Sequence, residues 1–293
     1  MKILFVLFYF MILCFYKSIC VIKIYGINRN ICIFLRIIGS PVWSSTSGPV
    51  NTCADLDWIR GLAAHLWYLT HPLSSLPDAL HQFELAWRGT GPAGPYSSGP
   101  SPDYADTPVI GQQIPIQDIR YLMLRLYCDR STRMESLCDP SSHTSDMLDL
   151  RLGWFVFRIL EVLGYRHMCD SAKERLHRDM ASQAERAGLW VWSVFVLQHI
   201  AAADKRSAAV KAVIERNIEK CDDATEDFLV TKLAVPSKWI ASARATLAKA
   251  DDNLREMVEN LIAAHKWSDA HDVLVKKIVP DAIISQDYDY IYK

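Results

Sequence analysis

The sequence predicts an all-α fold, built as an irregular α-helical solenoid. Three observations predict it. After about residue 50, apolar residues recur at helical spacing in segment after segment. No stretch shows convincing strand alternation or a hairpin turn. Four helix ends share one layout: "LGYRHMCDSA" (163–172), "AGLWVWSV" (187–194), "VPSKWIASA" (235–243) and "AHKWSDA" (264–270). In each, a helix ends in a small residue or a turn, an aromatic follows, and the next helix begins. The aromatics are Tyr165, Trp190, Trp239 and Trp267. An aromatic at such a corner fills the wedge where two helices diverge, as stacked helix pairs require. Their unequal separations make the array irregular.

The elements follow in order. "ADLDWIRGLAAHLWYLTHP" (54–72) opens on an aspartate cap and ends before Pro72, with Trp58, Leu62, His65, Leu66 and Leu69 at helical spacing. A helix over about 77–88 brings Leu80, Phe83, Leu85 and Trp87 near one side. Gly, Pro and Ser dominate 88–115, a flexible loop with no phosphate-cradling pattern. In "DIRYLMLRLYCDR" (118–130), Ile119, Leu122, Met123, Leu126 and Tyr127 share a face. The segment 145–164 starts at a Ser/Asp cap and ends at Gly164. Helices are then expected over 168–187, 189–201, 207–221, 225–234, 237–249, 252–265 and 268–279, where Pro280 interrupts.

"AERAGLWVWSVFVLQHI" (184–200) could be a membrane segment, an aromatic ligand box or a buried helix. Its apolar run is too short for a bilayer. It is apolar nearly all round, as a helix enclosed by others should be. Both tryptophans are therefore read as packing.

The bulk numbers exclude several classes. The 293 residues are 51% hydrophobic and 22% charged with net charge −1, so a large core is possible and wholesale disorder is excluded. A neutral balance gives no reason to expect nucleic-acid binding. The cysteines are scattered with no CxxC pair, which reads as free, mostly buried thiols.

Residues 1–38 differ sharply from the rest: they are rich in Ile, Phe and Tyr and contain no Ala, Pro, Asp or Glu. A signal peptide, a membrane anchor and a mis-assigned start compete as readings. "GSPVWSSTSGPVN" (39–51) reads as a linker. Residues 1–51 are thus expected to lie outside the fold, and 52–293 to form the solenoid.

Chemistry is sparse. His167 and Cys169 have no second pair at ligand spacing, so no metal is expected. His265 is read as a helix-end cap. Asp222, Asp223, Asp251 and Asp252 precede helices, where carboxylates cap N–H groups. No nucleophile elbow is present and basic residues alternate with acids, so the residues give no catalytic or cofactor set.

The blocks "DLDWIRGLAAHLWYL" (55–69), "LYCDRS" (126–131), "DMLDLRLGWFVFRILEVLGY" (146–165), "GLWVWSVFVLQHI" (188–200), "TKLAVPSKWIASA" (231–243) and "DAIISQDYDYI" (281–291) occur in this order. Over residues 52–293 the chain resembles the nucleoporin 96 family, the C-terminal product of the nucleoporin 98–96 precursor, whose fungal relative is the C-terminal half of nucleoporin 145. The resemblance implies a solenoid of the ancestral-coatomer-element type. It implies a structural, non-enzymatic role in the Y-shaped coat of the nuclear pore, at the nuclear envelope, supporting transport of mRNA and protein. The implied partners are the nucleoporin 107-type scaffold and other coat arms. A Sec-type β-propeller partners the full-length family, but its strand-donating segment, ahead of Cys53, is expected to be absent. No small-molecule substrate, cofactor or direct nucleic-acid contact is implied. The apolar leader, foreign to such a family, points to a mis-assigned start. Another helical coat or tethering solenoid, or a secreted or anchored helical protein, stands as the alternative. Within this reading, Trp58, Leu62, Leu66 and Trp67 are the candidate partner-facing residues, against the alternative that they are core.

Overall fold

The computed structural model describes residues 42–45, 48–51, 53, 56–71, 73–89, 99–104 and 116–286. The expected leader lies outside the described residues up to residue 41. The expected linker does not hold: β1 (Val42–Ser45) and β2 (Gly48–Asn51) pair antiparallel, from Val42 opposite Asn51 to Ser45 opposite Gly48. Val, Trp and hydroxyl residues favour a pleated backbone, and a short run of them suffices for a hairpin. Strand-forming sequence ahead of Cys53 is therefore present. Asn51 Oδ1 accepts from the Cys53 N–H at 2.9 Å and ties the end of the hairpin to buried Cys53.

The rest is helical, and the chain divides into two compact units, residues 1–147 and 148–293. In the first unit, α1 (Trp58–Ala64) is capped by Asp57, whose carboxylate accepts from Arg60 N–H at 2.8 Å. It widens into a π turn, His65–Leu69, closed by Thr70 N–H on His65 O. α2 (Leu76–Trp87) begins with a reciprocal Ser75–Asp78 capping box and Pro77 in its first turn. α3 (Ile119–Cys128) is capped by Asp118, which also takes both ends of the Arg120 guanidinium at 2.9 and 2.6 Å. A short α4 (Met134–Cys138), absent from the sequence reading, comes next. The core joins Cys53, Leu56, Trp58, Leu62, Leu80, Phe83, Ala86 and Tyr121.

Two faces are rotated from expectation. α2 buries Ala79, Leu80, Phe83 and Ala86, leaving Leu85 and Trp87 only half-buried. α3 buries Tyr121, Leu122 and Leu126, while Tyr127 is 53% exposed. The deciding group is Tyr121: its hydroxyl donates to Glu84 at 2.6 Å, so the ring can turn inward with its polar end satisfied. Part of the 88–115 loop is held in place. Gly99 lies against the Trp87 indole, Pro100 O accepts from Asp118 N–H, and Tyr104 donates to Ser141 O.

In the second unit, α5 (Arg151–Val162) starts six residues later than expected, because Asp149 and Gln183 take the Arg151 and Leu150 N–H groups in place of a Ser/Asp cap. Then come α6 (Asp170–Arg186), α7 (Trp190–Leu197), α8 (Ala203–Asn217), α9 (Asp223–Asp227), α10 (Ser237–Ala250), α11 (Leu254–Ala263), α12 (Trp267–Val273) and α13 (Val279–Ser285). π turns extend α9 (Phe228–Lys232) and join α12 to α13 (Leu274–Ile278). Pro280 does not end the helix. The π turn just before it changes which carbonyls are used, and Pro280 sits in the first turn of α13, where a missing N–H is tolerated.

The main core gathers Trp190, Val194, Leu197, Val210, Ile214, Leu229 and Ile240, and a smaller one gathers Ala245, Val258, Leu261 and Ala270. Ser193, the polar break in α7, is fully buried and donates to Ala181 O at 2.8 Å. α6 and α8 are stapled by Glu185, which accepts two bonds from Arg216 and one from Asn217. The expectation that α7 is enclosed all round fails: Trp190 is 6% exposed, but Trp192 is 52% and Leu189 53% exposed. The corner-aromatic layout also holds only in part. Trp190 is buried, Tyr165 and Trp239 are half-buried, and Trp267 is 60% exposed.

What recurs instead is backbone. At Gly164, Gly188, Asp252 and His265 the chain takes positive φ. The next N–H then reaches back across the turn: Tyr165 to Leu160 O, Leu189 to Ala184 O, Asn253 to Ala248 O and Lys266 to Leu261 O. These are Schellman ends, which satisfy the last carbonyls and reverse the chain into the next helix. His265 does close its helix, through its backbone.

Candidate interaction surface

The four residues singled out on 58–69 separate. Trp58 is 4% and Leu62 2% exposed, so both are core and the expectation that they face a partner is corrected. Trp58 stands edge-on to Tyr121 at 6.3 Å with the Arg120 guanidinium 5.3 Å over its ring. These contacts fill the space that exposure would have needed. Leu66 is half-buried against the same core. Trp67 is 39% exposed, beside Tyr68 at 38%. His65, behind them, is buried edge-on to Phe83, and desolvation lowers its pKa to about 4, so it is neutral at pH 7.

The larger apolar surface lies on α5. Its inner side buries Gly153, Phe157 and Leu160. Its outer side exposes Leu152 (44%), Phe155 (59%), Ile159 (40%) and Val162 (82%), with Leu148 (63%) just ahead of the helix. Within the helix, positions 152, 155, 159 and 162 step by three, four and three residues. That alternation puts them in one straight stripe. The spacing is legible in the sequence. Two apolar stripes share this helix, and periodicity alone does not tell which one the core takes.

α5 is fastened from within. The Trp154 Nε1–H donates to His177 Nδ1 at 2.9 Å, and Leu150 N–H to Gln183 Oε1 at 2.9 Å. Arg151 pairs with Asp149 at 2.7 Å, and Arg158 with Glu161. The Arg151 hydrogen bonds hold the Asp149 carboxyl well below the usual carboxylate range.

Among the described residues no three His, Cys, Asp or Glu side chains gather as a metal would need, and no helix is long and apolar enough to cross a membrane. The five described cysteines are in the thiol form; burial pushes Cys138 up to about 12 and raises Cys128 and Cys221. A groove of about 120 Å³ between α6 and α8, lined by Arg178, Ala181, Glu185 and Arg216, is smaller than the roughly 300–1,000 Å³ of small-molecule sites.

Comparison with known proteins adds the family. A family described as "Nuclear protein 96" matches residues 29–247, three quarters of the chain. The chain is 35% identical over 263 residues to the Nuclear pore complex protein Nup98-Nup96 of Drosophila melanogaster, covering 88% of this chain and 13% of that protein. It is 28% identical to the Caenorhabditis elegans protein of the same name (82% of this chain, 13% of that protein) and 28% identical to nucleoporin nup189 of Schizosaccharomyces pombe (79% and 13%). The chain thus spans about one eighth of the length of the curated relatives it matches. The match begins at residue 29, ahead of the expected limit at 52, and takes in the β1–β2 hairpin, so residues 29–51 are not foreign to the family. With matched sequence running from ahead of the hairpin into α10, the chain belongs to the nucleoporin 96 family.

Proposed function

We propose that the chain is a structural component of the nuclear pore complex, an α-helical solenoid segment of its coat. In this role it supports passage of mRNA and protein across the nuclear envelope and works by contact, not by catalysis. The observation that carries the reading is the α5 stripe. Four large apolar side chains in one line on the helix, with Leu148 exposed just ahead of it, suit a seam along which one helix packs against another. Together they expose on the order of several hundred Å² of apolar surface, the scale at which a patch marks an interaction site. Family membership supplies the setting, since the Drosophila and Caenorhabditis relatives are nuclear pore proteins. The partners this reading expects are other pore components, the nucleoporin 107-type scaffold and the other coat arms first.

The test is affinity purification of tagged chain, wild type and Phe155→Glu, with identification of what co-purifies. The wild type is expected to bring coat nucleoporins. The variant should lose at least one of them by about tenfold or more, because a carboxylate in an apolar seam is desolvated without a partner. Its thermal midpoint should hold, since Phe155 is 59% exposed. Full retention of every partner would move docking off α5. Wild-type chain that brings no pore protein would count against the scaffold role itself.

The hairpin supports a second contact. The resemblance implies a strand donated to a Sec-type β-propeller from ahead of Cys53, and β1–β2 lies there. Among the described residues the sheet has two strands, and addition of a strand to a sheet edge is an established mode of recognition. Deleting 42–51 should then remove a propeller from the purification and leave the α5-dependent partners.

A further inference from the structure

We infer that Trp154, His177 and His199 form a proton-sensitive latch that holds α5 to the rest of its unit and releases it in mild acid. The tautomers are set by the partners. An indole N–H can only donate, so His177 Nδ1, 2.9 Å from Trp154 Nε1, is bare and the ring's proton sits on Nε2. A backbone carbonyl can only accept, so His199 Nδ1, 2.9 Å from Phe195 O, carries its proton and Nε2 is bare. The two imidazoles stand 6.0 Å apart inside a box of rings. Trp154 is edge-on to both, at 6.3 and 5.8 Å. Phe157 lies 5.8 Å from His177, and Phe195 4.9 Å from His199.

A proton arriving at His177 has one place to go, the Nδ1 already occupied by the indole N–H. Protonation therefore breaks the Trp154–His177 bond and sets two donors against each other. It also puts a charge into an apolar box, since His177 is 2% exposed. The charged groups nearby do not offset it. Arg158 on α5, Lys173 on α6 itself and His199 at the end of α7 all oppose a positive His177. Glu161 on α5, which favours a positive His199, is engaged by Arg158. The charge is tolerated only when the box opens, and α5 is the wall that can leave. Besides the indole bond, the ties to α6 among the described residues are the two bonds of Gln183, with Leu150 N–H and Asp149 Oδ1 just ahead of α5, and the three-residue inner face of Gly153, Phe157 and Leu160.

Burial first, then the neighbouring positive groups, lowers the His177 pKa from 6.5 to about 4. The closed form thus excludes a proton that the open form binds near 6.5. The latch is fully closed above that value, and each pH unit below it raises the opening constant about tenfold until near 4. The latch does not depend on the docking role of α5, though the outer stripe moves with the helix.

Hydrogen exchange of the whole chain between pH 7.5 and 5, corrected for intrinsic rates and read by peptide, tests it. The opening constant for amides 151–162 is expected to rise about tenfold per unit below 6.5, while those of 210–218 change less. His177→Gln keeps an acceptor for the indole and cannot take a proton, so its profile should be clearly shallower than that of wild type, His199 alone supplying what remains. Should that variant not fold, Trp154→Phe removes the donor and frees Nδ1, so the closed form binds the proton more readily and the rise in opening should level off at a higher pH than in wild type. Flat wild-type protection of 151–162, a His177→Gln profile equal to wild type, or a Trp154→Phe rise as steep and as long as that of wild type would each overturn the latch.

Discussion

Single residues in this chain act through what the backbone lets them touch. Gly99 shows it most directly. A Cβ at this position would lie 2.4–2.6 Å from three atoms of the Trp87 indole, a rigid ring that cannot bend away. Gly99→Ala is therefore an overpacking substitution, expected to cost about 1–3 kcal/mol. The cost should be local: the 99–104 segment lifts, and the Pro100–Asp118 and Tyr104–Ser141 bonds are lost with it. Urea denaturation gives the size, and proteolysis gives the place. A variant that keeps wild-type stability and resists cleavage near 99–104 would mean the loop does not rest on Trp87. Nothing in the sequence marked this glycine among the Gly, Pro and Ser around it, because its requirement comes from a side chain twelve positions earlier. Tyr121 and Trp58 were hidden for a related reason. A pattern of apolar positions does not say that Glu84 will satisfy a tyrosine hydroxyl, and that bond turns the helix.

At the scale of elements, helices and most of their order were legible, because apolar spacing and caps are local. Asp57, Asp118, Asp222 and the Ser75–Asp78 box sit where caps belong. The turns were half legible. Two Schellman ends use glycine, and the sequence reading recognised one of them as a cap. Ends at Asp252, His265 and Ala234 use residues other than glycine, which mark positive φ weakly or, for alanine, not at all. The layout was instead attributed to aromatics, which happen to come after several of these turns, and Trp267 at 60% exposure shows that they do not define it. The difference has a measurable consequence. At Gly188, φ is +79° and an added Cβ meets nothing within 4 Å, so Gly188→Ala should lose about 1 kcal/mol from backbone strain alone. Ala234 carries that strain already at φ 51°. Ala234→Gly should gain about 0.5 kcal/mol, the relief being partly offset by the greater entropy of an unfolded glycine. Denaturant midpoints of the two variants, measured side by side, should move in opposite directions. Movement in the same direction would show that contacts, not φ, decide these corners.

At the scale of the molecule, the sequence suggested one continuous solenoid, and the structure divides the chain at 147/148. The reason is visible in the cores. Leu62 belongs to a cluster built from Cys53, Leu56, α1, α2 and α3, whereas Ile240 belongs to one built from α6 to α10. The two clusters share no member, and a boundary of this kind has no signature in helical spacing, which looks alike on either side of it. Truncating one core should then loosen one unit. Leu62→Ala and Ile240→Ala each remove a side chain no more than 2% exposed, and each should cost about 2–5 kcal/mol. Hydrogen exchange can assign the loss. With Leu62→Ala, protection should fall across 58–69, 76–87 and 119–128 and persist in 190–197 and 237–250; with Ile240→Ala the pattern should reverse. A fall across the whole chain from either substitution would mean that the two units unfold as one. The independence matters for function, because it would leave the α5 stripe, in the second unit, standing when the first is damaged. Partner retention by Leu62→Ala, set beside its loss by Phe155→Glu, would separate a contact made by one unit from one that requires both.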